Sequence, residues 1–168
     1  MSETIEINSN LTDEEKYREL IPQMENLLAS DDFTVTTLSN FTAALKQTFP
    51  KVSWVGFYLR KGDFLYLGPF QGKIACTQIK IGQGVCGTSA EKKETVIVPD
   101  VDKFPGHIAC DSLSRSEIVV PLLKGGELFG VLDLDSTSCN SFNEIDQKYL
   151  EALGRLVLEK INGAQTVI

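Results

Sequence analysis

The sequence has little of what several common function classes require. Among 168 residues there is one histidine, and 16 lysines and arginines face 23 aspartates and glutamates. The net charge of −7 would repel a phosphate backbone, and no basic run is longer than Lys92-Lys93. Nucleic acid is therefore not expected as a partner.

A long apolar run is also missing. No run approaches the roughly 20 residues that span a bilayer, and the polar, acidic N-terminus lacks the features of a signal peptide. These absences predict a cytoplasmic protein with no membrane partner, in a compartment where thiols stay reduced. The four cysteines are then expected to be reactive, metal-bound or buried, rather than joined in structural disulfides.

The length fits one domain, and the pattern predicts three long helices. Residues 1–11 are expected to be a disordered lead-in and residues 12–168 a single domain. The first helix follows the capping box Thr12-x-x-Glu15 and should kink or split at Pro22. The second helix starts after Asp31-Asp32, and the third starts at the capping box Ser141-x-x-Glu144.

Between these helices the apolar pattern changes to that of strands. The strands cluster with short turns instead of alternating with helices, so the predicted fold class is α+β with a mainly antiparallel sheet. A long loop inside a compact domain is often functional. The predicted segments are strands at 52–59, 64–70, 73–79 and 95–100, a short helix at 84–93, a long loop at 100–114, and a hairpin around Gly125-Gly126 with an edge or bulge at Pro121.

Two familiar motifs are weakly supported. Gly82-x-Gly84-x-x-Gly87 matches a dinucleotide fingerprint, but that fingerprint needs a parallel βαβ unit, and here it follows an antiparallel strand. The glycines are better interpreted as allowing close backbone approach that aims Cys86 at a cavity. No Cys-x-x-Cys pair is present, so no metal site is predicted.

The remaining cysteines differ in their surroundings. Cys139, just before the last helix, is expected to be a small buried hydrophobe. Cys110 lies in the polar loop between His107 and Asp111. His107 either lowers the pKa of this thiol or is a hydrogen-bonded loop residue, and the sequence leaves both interpretations open.

The hairpin carries a set of acids. Asp133 and Asp135 are two apart on a strand and so share a face, and Glu117 on the other hairpin strand can approach both. Repulsion in a partly buried site would raise at least one pKa and supply a proton donor near neutral pH. The alternative is a strand end that reaches solvent. Trp54 and Tyr58 also share a face, which by itself favours simple core packing.

Six segments together resemble the free methionine-(R)-sulfoxide reductases, which are GAF-domain enzymes. They are SWVGFYL, LGPFQGKIAC, GQGVCGTSA, GHIACDS, SEIVVPLL and GVLDLDS, and they run from Trp54 to about Asp146. The resemblance implies a GAF-like, mainly antiparallel sheet of about six strands flanked by helices on both sides. It also implies free L-methionine (R)-S-oxide as substrate, a cytosolic homodimer, no bound cofactor, and thioredoxin as external reductant.

The resemblance further implies roles for the three cysteines. Cys110 is the attacking thiolate and Cys76 the main resolving thiol, while Cys86 lines the site and can act as an alternative partner. Whether Cys110 or Cys86 attacks first stays open, and Cys139 has no role in this pattern. A sulfoxide reduction of this kind passes through a sulfenic acid and a disulfide, and it needs a proton donor.

The substrate-binding residues implied in the same way are Glu117, Asp133 and Asp135. They would hold the ammonium group, and one of them, protonated, would polarise the sulfoxide oxygen. Trp54 and Tyr58 would pack around the methyl-sulfur end. The substrate carboxylate is expected to meet backbone N–H groups near residues 84–88. The competing interpretations are a GAF-type sensor without turnover and a dimerisation domain with incidental thiols.

Overall fold

The computed structural model describes residues 4–28, 32–108 and 110–161. Within these ranges the chain forms four α-helices, one 3-10 turn and six strands, in an order that confirms the α+β class. The elements are α1 (Asp13–Leu27), α2 (Thr34–Thr48), β1 (Trp54–Lys61), β2 (Phe64–Gln71), β3 (Gln78–Lys80), α3 (Gly84–Lys92), β4 (Val96–Val98), the 3-10 turn (Val101–Lys103), β5 (Ser116–Lys124), β6 (Glu127–Ser136) and α4 (Glu144–Ile161).

The strands form one antiparallel sheet in the order β3-β2-β1-β6-β5-β4. β5 and β6 are joined by Gly125 and Gly126, whose φ angles of 58° and 82° suit the tight primed turn that the sequence predicts. Pro121 follows the three residues of β5 that pair with β4, so β5 is an edge at that point. The predicted edge position of Pro121 is confirmed.

Both faces of the sheet are covered by helices, as the resemblance implied. The larger core lies under α1, α2 and α4, where side chains such as Leu20, Phe41 and Leu153 pack on Phe57 and Leu132. The opposite face packs against α3 and the loops beside it. The cluster on that face contains Trp54, Tyr58, Val85, Cys86, Val119 and Val131. The central strands are therefore apolar on both faces, which explains the long unbroken apolar run at the start of β1.

Strand β3 is shorter than the predicted strand at 73–79. Two side chains of β1 donate hydrogen bonds to backbone carbonyls that in a longer strand would have accepted from β2. The indole Nε1 of Trp54 donates to the Lys73 carbonyl at 3.0 Å, and the Tyr58 hydroxyl donates to the Cys76 carbonyl at 3.0 Å. Residues 73–76 therefore run beside the aromatic face instead of pairing with β2.

The helix ends differ from the predictions in two places. Helix α1 has the predicted capping box of Thr12 and Glu15, but it continues through the exposed Pro22 without splitting. The predicted start of α4 is wrong: Asn143 caps the helix, accepting from the Ile145 N–H at 2.8 Å, while its own N–H donates to Asp146 at 3.0 Å. The capping box is thus shifted by two residues, because Asp146 is held in place from elsewhere in the fold. It accepts from Tyr17 and Lys51, each at 2.8 Å.

The described part of the predicted lead-in has no helix or strand, yet it contacts the body of the protein. Ile5 and Ile7 pack against the larger core, and Gln47 donates to the Ile5 carbonyl at 2.9 Å. Residues 1–3 of this segment, Asp31 before the second helix, Ala109 in the loop and the tail 162–168 lie outside the described residues. None of the helices in the described ranges is both long and apolar enough to cross a membrane.

Candidate active site

Strand register places one aromatic residue and two of the three acids in one row across the sheet. Asp135 pairs with Trp54 on one side and with Glu117 on the other. Asp133 lies in the next row on the same face, opposite Gly56 and Val119. The predicted common face of the two aspartates is explained by their period-two spacing on β6.

A cavity of about 40 Å³ lies over this row, between the sheet, the N-terminus of α3 and the loop that precedes β5. Seven of the eight predicted site residues line it, and the eighth, Cys76, is bonded to a lining residue. The seven are Trp54, Tyr58, Cys86, Cys110, Glu117, Asp133 and Asp135. The structure thus brings together all the side chains that the sequence singled out for chemistry.

The sulfur atoms fall into three environments. Cys76 and Cys110, 34 positions apart, are joined in a disulfide at the cavity. Cys86 is free and buried on α3, and its thiol donates to Asp133 Oδ2 at 3.3 Å. Cys139 is free but exposed, so the expectation that it is buried is wrong. It lies in the turn between β6 and α4, where its sulfur is 3.8 Å from the Arg115 guanidinium.

Burial and mutual repulsion dominate the electrostatics of the acids. Burial raises the pKa of Glu117 well above its usual value, and the charge of Asp135 raises it further. Burial also raises the pKa of Asp133, together with the charges of Glu117 and Asp135. For Asp135 burial raises the pKa to about 6, against a hydrogen bond from Ser114 and the nearby His107, which both lower it. The cluster can therefore hold protons near neutral pH.

The same surroundings act on the two non-carboxylic acids. Burial raises the pKa of the Cys86 thiol well above its usual value, and the charges of Asp133 and Glu117 add to the effect. The pKa of the Tyr58 hydroxyl is raised by burial and then by the charge of Asp133. Cys86 is accordingly a neutral thiol in this form of the protein.

Glycines allow the close packing around α3. A side chain at Gly87 would lie 2.5 Å from the Lys80 carbonyl oxygen, and Gly84 has a φ of 63° with Ile108 in contact range. These contacts agree with the interpretation that the glycines of residues 82–87 serve close backbone approach. The turn they form starts α3 beneath the cavity, so Cys86 is directed at the acids.

The comparisons with known proteins decide the family. A model of the GAF domain matches residues 34–159. A relative from Saccharomyces cerevisiae named free methionine-R-sulfoxide reductase is 43% identical over 91% of this chain and 89% of its own length. The chain belongs to the free methionine-R-sulfoxide reductase family. The fold and family that the sequence predicted are therefore confirmed.

Two further matches extend the likeness. GAF domain-containing protein A of Dictyostelium discoideum is 54% identical over 94% of this chain and 99% of its own length. The solved structure of free methionine-R-sulfoxide reductase from Neisseria meningitidis, in complex with its substrate, superimposes with a TM-score of 0.90 at 45% identity. That match covers 95% of this chain and 97% of the other.

Sequence reasoning missed several residues that complete the site of this family member. Ser114 donates a hydrogen bond to Asp135, and the Lys73 ammonium lies 3.6 Å from the carboxylate of Asp111, which lines the cavity. His107, for which the sequence left two roles open, has its Nε2 3.7 Å from Glu117 Oε2. All except Lys73 lie in or beside the long loop at 100–114, so the loop length was the signal that could have found them.

Proposed function

We propose that the protein reduces free L-methionine (R)-S-oxide to L-methionine and is an oxidoreductase whose electron donors are its own thiols. The observation that carries this proposal is the Cys76–Cys110 disulfide at the edge of a cavity lined by three acids. Sulfoxide reduction needs a thiol pair and a proton donor in one place. The likeness to a reductase solved with its substrate supports the same reaction.

The first step is attack of the Cys110 thiolate on the sulfoxide sulfur. The sulfoxide oxygen accepts a proton from the acid set and is transferred to Cys110, which becomes a sulfenic acid as methionine leaves. The sulfoxide sulfur gains two electrons and Cys110 loses two. Glu117 and Asp133 suit the donor role because their raised pKa values keep a proton available at neutral pH.

Cys76 then attacks the sulfenic acid of Cys110, and the oxygen leaves as water when the disulfide forms. An external dithiol, which we propose to be thioredoxin, reduces this disulfide and is itself oxidised. The reaction needs no bound cofactor. The cytoplasmic location and the homodimer implied by the resemblance belong to the same proposal.

The neutral thiol of Cys86 supports Cys110 as the first nucleophile. The thiolate is the nucleophilic form, and burial beside Asp133 and Glu117 disfavours it at Cys86. Cys86 is instead a hydrogen-bond donor to Asp133, which keeps that carboxylate oriented. Cys110 lies on the loop, partly exposed, and has no such restraint once the disulfide is reduced.

Substrate recognition follows from the walls of the cavity. The carboxylates on β5 and β6 attract the ammonium group, and Trp54 with Tyr58, whose ring centroids are 6.1 Å apart, packs the methyl-sulfur end. The N-terminus of α3 offers backbone N–H groups to the substrate carboxylate. A volume of about 40 Å³ holds only a few waters, so we infer that substrate enters the reduced form, in which the Cys110 loop is free of its tether.

Thiol counting tests the reaction directly. Adding the (R) epimer to the reduced protein should remove two free thiols per chain, and thioredoxin with its reductase should restore them. Cys110→Ser should lower turnover by at least about 1000-fold, since no nucleophile remains, whereas Cys139→Ser should keep wild-type turnover. Full activity in Cys110→Ser would overturn the nucleophile assignment, and no thiol loss in the wild type would favour a ligand sensor.

A further inference from the structure

A thiol and two carboxylates in the cavity are spaced like the ligands of one small cation. A ligand atom from each of Cys86, Glu117 and Asp133 lies within 4.8 Å of the other two. The Cys86 sulfur is already 3.3 Å from Asp133 Oδ2. Two ligands of a tetrahedral zinc ion, with bonds of about 2.0 to 2.3 Å, are themselves about 3.5 Å apart. The group needs only small side-chain shifts to close on an ion.

An independent observation points to a missing ligand at the same place. Asp133 Oδ1 is buried, and once the neighbouring Glu117 carboxyl is ionised it has no hydrogen-bond partner within the described part of the chain. The Asp133 residue as a whole is only 6% exposed and lines the cavity. A buried polar atom without a partner is costly and rare, and a bound cation would satisfy it.

The chemistry of the donors selects the kind of cation. His107 also lines the cavity, with its Nε2 3.7 Å from Glu117 Oε2, but it does not belong to the group whose ligand atoms all lie within 4.8 Å of one another. A set of one thiolate and two carboxylates, with water as the fourth ligand, suits zinc, whereas magnesium and calcium take only oxygen ligands. A volume of about 40 Å³ accommodates one such ion with a water molecule.

We propose that the disulfide-bonded protein binds one zinc ion through Cys86, Glu117 and Asp133. Binding forms one sulfur–metal bond and two oxygen–metal bonds, and the thiol proton and any proton held by the Glu117 and Asp133 carboxyls leave to the buffer. The Cys76–Cys110 bond is untouched, because neither of its sulfurs is a ligand. The ion occupies space that the proposed function assigns to the sulfoxide, so after reduction of the disulfide the ion must leave before substrate binds; only this last consequence rests on the proposed function.

Cobalt(II) is the spectroscopic probe for this site. One equivalent added to the disulfide-bonded protein, without reductant, should produce a thiolate-to-cobalt charge-transfer band in the near ultraviolet, and one equivalent of zinc should remove it. Cys86→Ser should abolish the band, and Asp133→Asn should weaken binding by about 100-fold, at least as much as losing an outer-sphere partner does. Turnover is not used, so the result does not depend on the proposed reaction.

The matched control is Cys139→Ser, which removes the other free thiol and should leave the band unchanged. Circular dichroism checks that each variant is folded. If Cys86→Ser does not fold, Glu117→Gln is the second ligand variant. The proposal is overturned by the absence of a band in the wild type, by a band that survives in Cys86→Ser, or by loss of the band in Cys139→Ser.

Discussion

Asp135 lies at the middle of a row across three strands, between Trp54 and Glu117. Its carboxyl is charged or neutral depending on small changes of pH, since burial raises its pKa to about 6. The folded protein therefore binds this proton more tightly than the unfolded chain does. The resulting contribution to stability is present below about pH 4 and is lost as pH rises through about 6.

Asp135→Asn should remove this pH-dependent loss. The rise of the Asp135 pKa from 3.8 to about 6 corresponds to about 3 kcal/mol, which we reduce to about 2 kcal/mol because Asp135 is partly exposed. The gain in unfolding free energy of Asp135→Asn over the wild type should be about 2 kcal/mol larger at pH 8 than at pH 4. Urea unfolding of the disulfide-bonded protein measures it, with Asp63→Asn on an exposed turn as the control. An equal gain in unfolding free energy at both pH values would show that the pKa of Asp135 is not raised by burial.

Gly56 sets the position of the chain's one tryptophan. A methyl group at Gly56 would lie 2.4 Å from Trp54 Cη2 and 2.6 Å from Phe70 Cβ, so the indole must move. Gly56→Ala should shift the tryptophan emission and raise KM by at least about 10-fold, the equivalent of 1.4 kcal/mol. Gly68→Ala on the neighbouring strand, where no atom comes closer than 3.2 Å, should leave the emission unchanged. An unshifted emission in Gly56→Ala would show that Trp54 is not fixed by this contact.

At the scale of elements, α4 begins where a long-range network holds its first turn. Asp146 bonds the Asn143 N–H and accepts from Tyr17 and Lys51, while Glu144 is exposed. Asp146→Ala should lower the free energy of unfolding by about 3 kcal/mol, because the buried Tyr17 hydroxyl and the Asn143 N–H both lose their acceptor. Lys51 loses one of its two ionic partners and keeps Asp13. Glu144→Ala should change it by less than about 0.5 kcal/mol. Chemical denaturation measures both variants. If Glu144→Ala lowered the free energy of unfolding as much as Asp146→Ala, the capping box would be at Ser141 and Glu144 instead.

The same helix shows where sequence reasoning stops. Ser141 with Glu144 and Asn143 with Asp146 have the same spacing, and both fit a capping box. The choice depends on Lys51 and Tyr17, which are about 95 and 129 positions away. Strand β3 was overestimated for a similar reason, since the carbonyls of residues 73–76 are taken by aromatic side chains rather than by a strand.

Period-two spacing was enough where the partner was local. It placed Asp133 and Asp135 on one face, and Trp54 with Tyr58 on the same side of β1. The contributions of Ser114 and Lys73 could not be predicted, because a loop has no period from which to infer the direction of a side chain.

At the scale of the whole molecule, the disulfide joins two segments that the topology brings together. Cys76 follows β2, near one edge of the sheet, while Cys110 lies in the loop between β4 and β5 near the other edge. The sequence indicated which cysteines have special surroundings. Their meeting over the central strands depends on the order β3-β2-β1-β6-β5-β4, which no local pattern encodes.

Reduction of this disulfide should lower the stability of the folded protein. Closing a loop of 34 positions restricts the unfolded chain by about 3 to 4 kcal/mol. The melting temperature of the reduced protein should then be about 10 °C lower than that of the disulfide-bonded protein in differential scanning calorimetry. Cys76→Ser should melt at the same temperature with and without reductant. A reductant effect that persists in that variant would point to another thiol.

The proposed function gives the Cys76–Cys110 bond a consequence for the supply of electrons. If the bond forms once per turnover, a molecule that has acted once would stay inactive until an external dithiol reduced it. In a cell short of reducing equivalents, the number of oxidised amino acids repaired would then be limited by the number of copies of the protein, and the disulfide-bonded fraction would report how far supply had fallen behind demand.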